Sequence, residues 1–170
     1  MLWGNNVTVA MQTLGALAHF DFNSPGSYSY EQAYLVMQKL SLGQAEAEQL
    51  FRRMVFNVAA RNNDDHVKNI SFLMDRQGQW RLSPDYDVTY AYDPKSFWLR
   101  AHQMTISGKI DGITPQDLIQ TGRYMNISKR TAVRIMEEVQ SAVLKWKEYA
   151  EKAGVPEKEM TEIRSNIKKI

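Results

Sequence analysis

The chain has no cysteine. This excludes a thiol nucleophile, a dithiol redox pair, a cysteine-ligated zinc or iron–sulfur centre and a disulfide framework. It accords with a reducing compartment. No apolar run approaches the roughly 20 residues that a membrane-spanning helix needs. The opening MLWGNNVTVAMQTLGALAHF has neither a basic leader nor a small-residue cleavage site, so no signal peptide is expected. A cytoplasmic protein without a membrane partner is the expectation. Glycine is sparse: none of the nine forms a G-x-G pair, so neither GxGxxG nor a P-loop exists. A strong charge of one sign is lacking too, the net being +2. From Arg123 onward 11 Lys/Arg face 7 Asp/Glu. Lys129, Arg130 and Arg134 in that basic tail read as a solvated helix face.

What is present is 170 residues with 44% hydrophobic content, enough for one domain over 1–170 with its own core. Apolar residues at helical spacing (Val7, Met11, Leu14, Leu17, Ala18) predict a helix from Asn5 to Phe20. Asp21 to Gly26 reads as a loop, and Tyr30 to Leu40 as a second helix. The clearest helix is Gly43 to Arg61, with Ala47, Leu50, Phe51, Met54, Val55, Val58 and Ala59 in one stripe. Ile70–Asp75 and Trp80–Leu82, joined by the turn at 76–79, predict a small hairpin. A strand is expected around His102 to Ile106. Thr114, Pro115 and Asp117 mark a helix start. A long helix is expected from Ser128 to Ala150, with Ala132, Ile135, Met136, Val139, Val143 and Trp146 as its seam. Gly154-Val155-Pro156 ends it, and a weakly amphipathic terminal helix follows within 156–170. The fold class is α+β, predominantly α-helical, with one small inserted β-hairpin.

The chemistry concentrates between the clearest helix and the hairpin. Asp64, Asp65, His66, Lys68 and Asn69 fall within six residues, and Asp87 ends the polar turn after the hairpin. A hairpin returns the chain to its start, so Asp87 is expected beside Asn69. A carboxylate and a carboxamide together supply hard oxygen ligands suited to Mg2+. Asp64 or Asp65 is then free to act as a base. Any single one of these residues is better read as an ordinary turn residue, but the whole set is not. Protein kinases use a catalytic-loop Asp, an Asn five residues on, and a later Asp for the second metal contact. Asp64, Asn69 and Asp87 repeat that order.

Phe56, Asn57, Asn62, Asp64, His66, Lys68, Asn69, Ser71, Phe72 and Leu73, followed by Leu82, Ser83, Pro84, Tyr86 and Asp87, resemble the C-terminal lobe of HipA-family toxin kinases. The match is dense over 51–89, and Ser107 to Thr114 with the helix after it is similar as well. The resemblance implies a protein-kinase-like C-lobe and transfer of the ATP γ-phosphoryl group to a protein serine or threonine. Asp64 would be the general base, and Asn69 and Asp87 would hold Mg2+. His66 and Lys68 would lie near the transferred phosphate of ATP, and Asp65 is the weakest candidate. The family's N-terminal lobe, with its phosphate-cradling parts, is expected in cis or in trans. A helix-turn-helix antitoxin is the implied partner, DNA being reached only through that complex. An aminoacyl-tRNA synthetase or another translation protein is the implied substrate.

Two other classes compete. A kinase-derived interaction module without catalysis would explain the missing lobe. A metal-dependent nuclease or phosphohydrolase would explain the carboxylates, but not the five-residue Asp64–Asn69 interval. Trp80, Trp98 and Trp146 are too scattered for a base-stacking surface. His19 and His102 read as structural, having no ligand partners at useful spacing. Ser24, Ser27 and Ser29 are loop serines, with exposure alone to suggest modification.

Overall fold

A computed structural model describes residues 9–170. Its centre is a helix that the apolar stripe predicts almost to the residue: α3, Gln44–Ala60, flanked by Gly43 and Arg61 as caps. Its stripe, from Ala47 to Ala59, is buried, and removing each large side chain from water is worth about 1.5–3 kcal/mol. Helix α4 (Pro115–Tyr124) and helix α5 (Lys129–Val143) pack beside it. The seam of α5 is Ala132, Ile135, Met136, Val139 and Val143, all buried. Gly122 permits the close approach of α4, because a Cβ there would lie 3.0 Å from the Phe51 ring.

Caps set the helix starts. In α2 (Tyr30–Lys39), the Ser29 hydroxyl accepts from the Gln32 amide while the Gln32 side chain accepts from the Ser29 N–H. Thr114 and Asp117 make the same reciprocal box at α4. Each box satisfies two amide donors that the helix leaves unpaired.

The hairpin forms as expected, β3 (Ser71–Met74) pairing antiparallel with β4 (Trp80–Leu82). A third strand joins it. Residues Ala10–Thr13 are β1, antiparallel to β3 with Ala10 opposite Met74 and Thr13 opposite Ser71. This corrects the helix expected from Asn5 to Phe20. Asn5 to Thr8, Val7 included, lie outside the described residues, and only the short helix α1 (Leu14–Ala18) follows β1. Met11 is half exposed on the sheet rather than part of a buried helical face. The expected strand near His102 is reduced to β5 (Met104–Thr105), which runs parallel to β2 (Tyr28–Ser29).

The long helix expected from Ser128 to Ala150 is two helices. After α5, the Lys145 amide bonds three residues back to the Ala142 carbonyl at 3.2 Å. Helix α6 (Trp146–Lys152) starts after Lys145, whose φ −79°, ψ 9° interrupts the helical pattern. No proline or glycine marks this break. It lets the Trp146 indole N–H donate to the Met160 carbonyl of the last helix, α7 (Glu157–Asn166), at 3.3 Å. The residues after α7 return to the domain: the Lys168 amide donates to the Ala59 carbonyl at 2.9 Å, and that of Ile170 to Gln140 Oε1 at 2.7 Å. The protein is thus a mixed α/β domain dominated by helices. Among the described residues, no helix is long and apolar enough to cross a membrane.

Candidate functional site: two cavities around a buried polar loop

The polar run after α3 is not a solvated turn. Asn62, Asn63 and Asp65 are buried, and each makes a side-chain hydrogen bond, although Asn62 Oδ1 and Asn63 Oδ1 are left without a partner. Asn63 Nδ2 donates to the Leu99 carbonyl at 2.9 Å, and Asn62 Nδ2 to Asn57 Oδ1 at 3.0 Å. Asn57 Nδ2 bonds the Tyr30 hydroxyl at 3.0 Å, which in turn donates to Asp65 Oδ2 at 2.9 Å. His102 Nδ1 meets the same oxygen at 3.0 Å, and the Gln103 amide donates to Asp65 Oδ1 at 2.8 Å. Asp65 is therefore the knot between the loop, α2 and the two residues that lead into β5. With both carboxylate oxygens engaged and only 2% exposure, it has no room to act as a base. Burial, with the Asp65 charge beside it, raises the Tyr30 phenol well above its ordinary range. His102 does have a partner after all, but the partner is this structural carboxylate.

Asn69 and Asp87 line one cleft, as the hairpin geometry requires. Tyr30, Arg53, Asn57, Asn62, Asp65 and Asp85 also border it. The Tyr86 hydroxyl fixes the return of the chain by donating to the Lys68 carbonyl and accepting from the Ser71 hydroxyl. The Ser83 amide continues the pairing to the Ser71 carbonyl at 2.9 Å. Asp87 itself adopts a left-handed backbone, φ 54°, a conformation costly for a non-glycine residue. Asn69 Nδ2 donates to the Asp64 carbonyl at 2.8 Å. That bond fixes the amide orientation and leaves Asn69 Oδ1 available as an acceptor.

Two further residues in this cleft carry charge and escaped the sequence reading. Arg53 Nη1 lies 3.5 Å from Asp85 Oδ1. Burial pushes the Asp85 carboxyl up, against the pull of Arg53, and lowers the Arg53 guanidinium. Asp85 and Asp87 together outnumber Arg53, so the cleft favours a cation. Among the described residues, no three His, Cys, Asp or Glu side chains are grouped to enclose a metal ion. The donor set, one carboxamide oxygen and one exposed carboxylate, suits Mg2+ that keeps water and phosphate oxygens as its other ligands. It does not suit a transition metal held by protein alone.

The remaining candidates face elsewhere. Asp64 is joined to Asn69 through its carbonyl, but its side chain lines a neighbouring cavity with Phe22, His66, Ser96, Trp98, Leu99 and Gln103. His66 sits edge-on to Phe22, with ring centroids 6.0 Å apart, and its buried Nδ1 has no hydrogen-bond partner. Lys68 Nζ lies 3.1 Å above the centre of the Phe22 ring, a cation–π contact rather than a position in the Asn69–Asp87 cleft. The structure thus groups Asn69 with Asp87 and Asp64 with His66. Lys68 stands apart on the rim.

A family model for the HipA-like C-terminal domain matches residues 6–169, nearly the whole chain. The chain belongs to that family. A Haemophilus influenzae protein named "Putative kinase" is 35% identical over 60 residues, which are 35% of this chain and 18% of that protein. Among solved structures, the Shewanella oneidensis MR-1 toxin–antitoxin complex of HipA, HipB and operator DNA contains a similar chain. The TM-score is 0.59 and the identity 17%, over 84% of this chain and 30% of that one. The likeness to the Shewanella chain is one of fold. The HipA-like chain described here spans under a third of the length of either relative.

Proposed function

We propose that this HipA-like domain is the catalytic, magnesium-binding C-lobe of a protein serine/threonine kinase from a toxin–antitoxin module. The observation that carries the reading is the shared cleft of Asn69 and Asp87, tied by the Asn69 amide to the backbone of Asp64. In this reading Asn69 Oδ1 and the Asp87 carboxylate would hold Mg2+, which would offset phosphate charge, with ATP as the donor of the group transferred. Asp64, in the adjoining cavity, accepts the proton of the acceptor hydroxyl and orients its oxygen; such a base contributes about 10²–10⁴-fold. His66, beside Asp64, orders the rim of that cavity, and its buried Nδ1 would reach a phosphate oxygen only if the loop moved. Lys68 approaches a phosphate only by leaving the face of Phe22.

The parts that cradle nucleotide phosphates would come from a further lobe, in cis or in trans, and a DNA-binding antitoxin would be the regulatory partner. A translation protein such as an aminoacyl-tRNA synthetase is the acceptor that the resemblance suggests. A second reading, a non-catalytic interaction module, draws on the separation of the Asp64 side chain from the Asn69–Asp87 cleft.

Calorimetric titration of Mg-ATP into the protein and its Asp87→Ala variant, with and without the further lobe, separates the two. Binding that needs Asp87 and tightens with that lobe supports the kinase. No binding by the folded protein in either condition supports the interaction module.

A further inference from the structure

Arg52 and Arg53 are neighbours in the middle of α3 and go to different partners. Arg52 pairs with Glu138 of α5 at 2.7 Å. Arg53 reaches the turn after β4, with its side chain only 13% exposed. Its Nη2 donates to the Ser83 carbonyl, and its Nη1 stands 3.5 Å from Asp85 Oδ1. A planar fork can engage two separate acceptors in this way, whereas an ammonium is a single point of charge.

That turn needs support from outside. Among the described residues, no backbone–backbone hydrogen bond involves residues 84–90, so side chains hold the stretch that carries Asp87. Tyr86 anchors it to Lys68 and Ser71, and Arg53 anchors it to α3. Asp87 follows Asp85 by two residues in a left-handed conformation, φ 54°, which costs free energy unless the surroundings enforce it. Two carboxylates bordering one cleft, Asp85 and Asp87, also repel unless one is neutralised. Arg53 answers Asp85, which leaves the Asp87 charge for a cation. A guanidinium on the border of a cation site opposes the cation by its charge alone, so its grip on the turn is what accounts for its place there.

We propose that Arg53 is a positioning residue for the metal site: it holds the Ser83 carbonyl and the Asp85 carboxylate so that Asp87 faces the cleft it shares with Asn69. Arg53 acts through Asp87 rather than on the cation itself. This role rests on the reading of that cleft as a magnesium site.

The test compares Arg53→Gln with Arg52→Gln, a control that removes a neighbouring charge from the same helix. In magnesium-free buffer, the backbone amide order parameters of residues 85–88 should fall from the rigid range, about 0.85, to below about 0.6 in Arg53→Gln and hold in Arg52→Gln. Magnesium chloride is then titrated while the Asn69 side-chain amide resonances are followed. The Kd should rise about tenfold or more in Arg53→Gln and stay with the parent in Arg52→Gln. The sign separates two roles: losing a group that acts by charge alone tightens Mg2+ binding, while losing a positioning group weakens it. Should Arg53→Gln fail to fold, Arg53→Lys, which keeps the charge and loses the fork, must show the same weakening. Three results overturn the role: order parameters that do not move, a Kd unchanged or lowered in Arg53→Gln, or equal losses in Arg52→Gln. An Asn69 shift absent from the parent, or retained in Asp87→Ala, is a different result: it ends the magnesium reading itself, and the role of Arg53 with it.

Discussion

Asp64 and Asp65 are neighbours in sequence and opposites in environment. Asp65 points inward, where Tyr30, His102 and the Gln103 amide use both of its oxygens. Asp64 points outward into a cavity with His66 and Trp98, and its carbonyl rather than its carboxylate serves the scaffold. One loop thus carries a structural carboxylate and a reactive candidate on consecutive residues. The buried one rigidifies the backbone from which the other projects, and preorganisation of this kind is what a catalytic group needs.

The largest effect that tests the contrast is on stability. Asp65→Ala strands a buried phenol, an imidazole and an amide at once, and a loss of about 3–5 kcal/mol is expected in urea unfolding. Asp64→Ala should leave unfolding within about 0.5 kcal/mol of the parent. With the further lobe supplied, it should lower phosphoryl transfer by about 10²–10⁴-fold. If the stability losses of the two variants were equal, the division of labour would be gone. Tyr86→Phe removes the hydroxyl that holds the return of the chain against Lys68 and Ser71. A loss of about 1–3 kcal/mol is expected, with Mg2+ affinity falling alongside because Asp87 is no longer fixed; unchanged Mg2+ affinity would separate that clamp from the cleft.

A carboxylate outside both regions gives the smallest effect and a control. Hydrogen bonds from Lys109 and Thr114 hold the Asp117 carboxyl at about 2, below its ordinary 3.8. A lowered carboxyl stabilises the fold fully above its ordinary range and loses that contribution as the pH falls through about 2. The Tm gap between the parent and Asp117→Asn should therefore close across that interval. A gap that persisted below it would point to packing rather than charge.

The sequence was most legible where structure is local. The stripe of α3, the hairpin and the Thr114–Asp117 box all lie within a few residues of their determinants. Legibility failed where distant segments decide. Met11 and Leu14 stand at helical spacing, yet the edge of β3 draws residues Ala10–Thr13 into a strand. No breaker residue precedes Trp146, and the break there goes with a bond from its indole to Met160, 14 residues on. In the site, the Asp64–Asn69 interval and the return to Asp87 could be read from order alone. The role of Asp65 could not, since His102 and Gln103 reach it from 37 and 38 residues away. Arg53 and Asp85 were hidden for a related reason: one looks like an ordinary helix residue, the other like an ordinary turn.

The sheet pairings carry a consequence for how the domain assembles. The pairing of β3 with β4 closes a short loop, whereas Ala10 must find Met74 and Tyr28 must find Met104 across most of the intervening chain. Distant closures cost more chain entropy and slow folding. The hairpin that presents Asp87 can form early. The Asp65 knot waits for β2 and β5 to come together, so refolding should recover helical signal before the loop bearing Asp64 is locked.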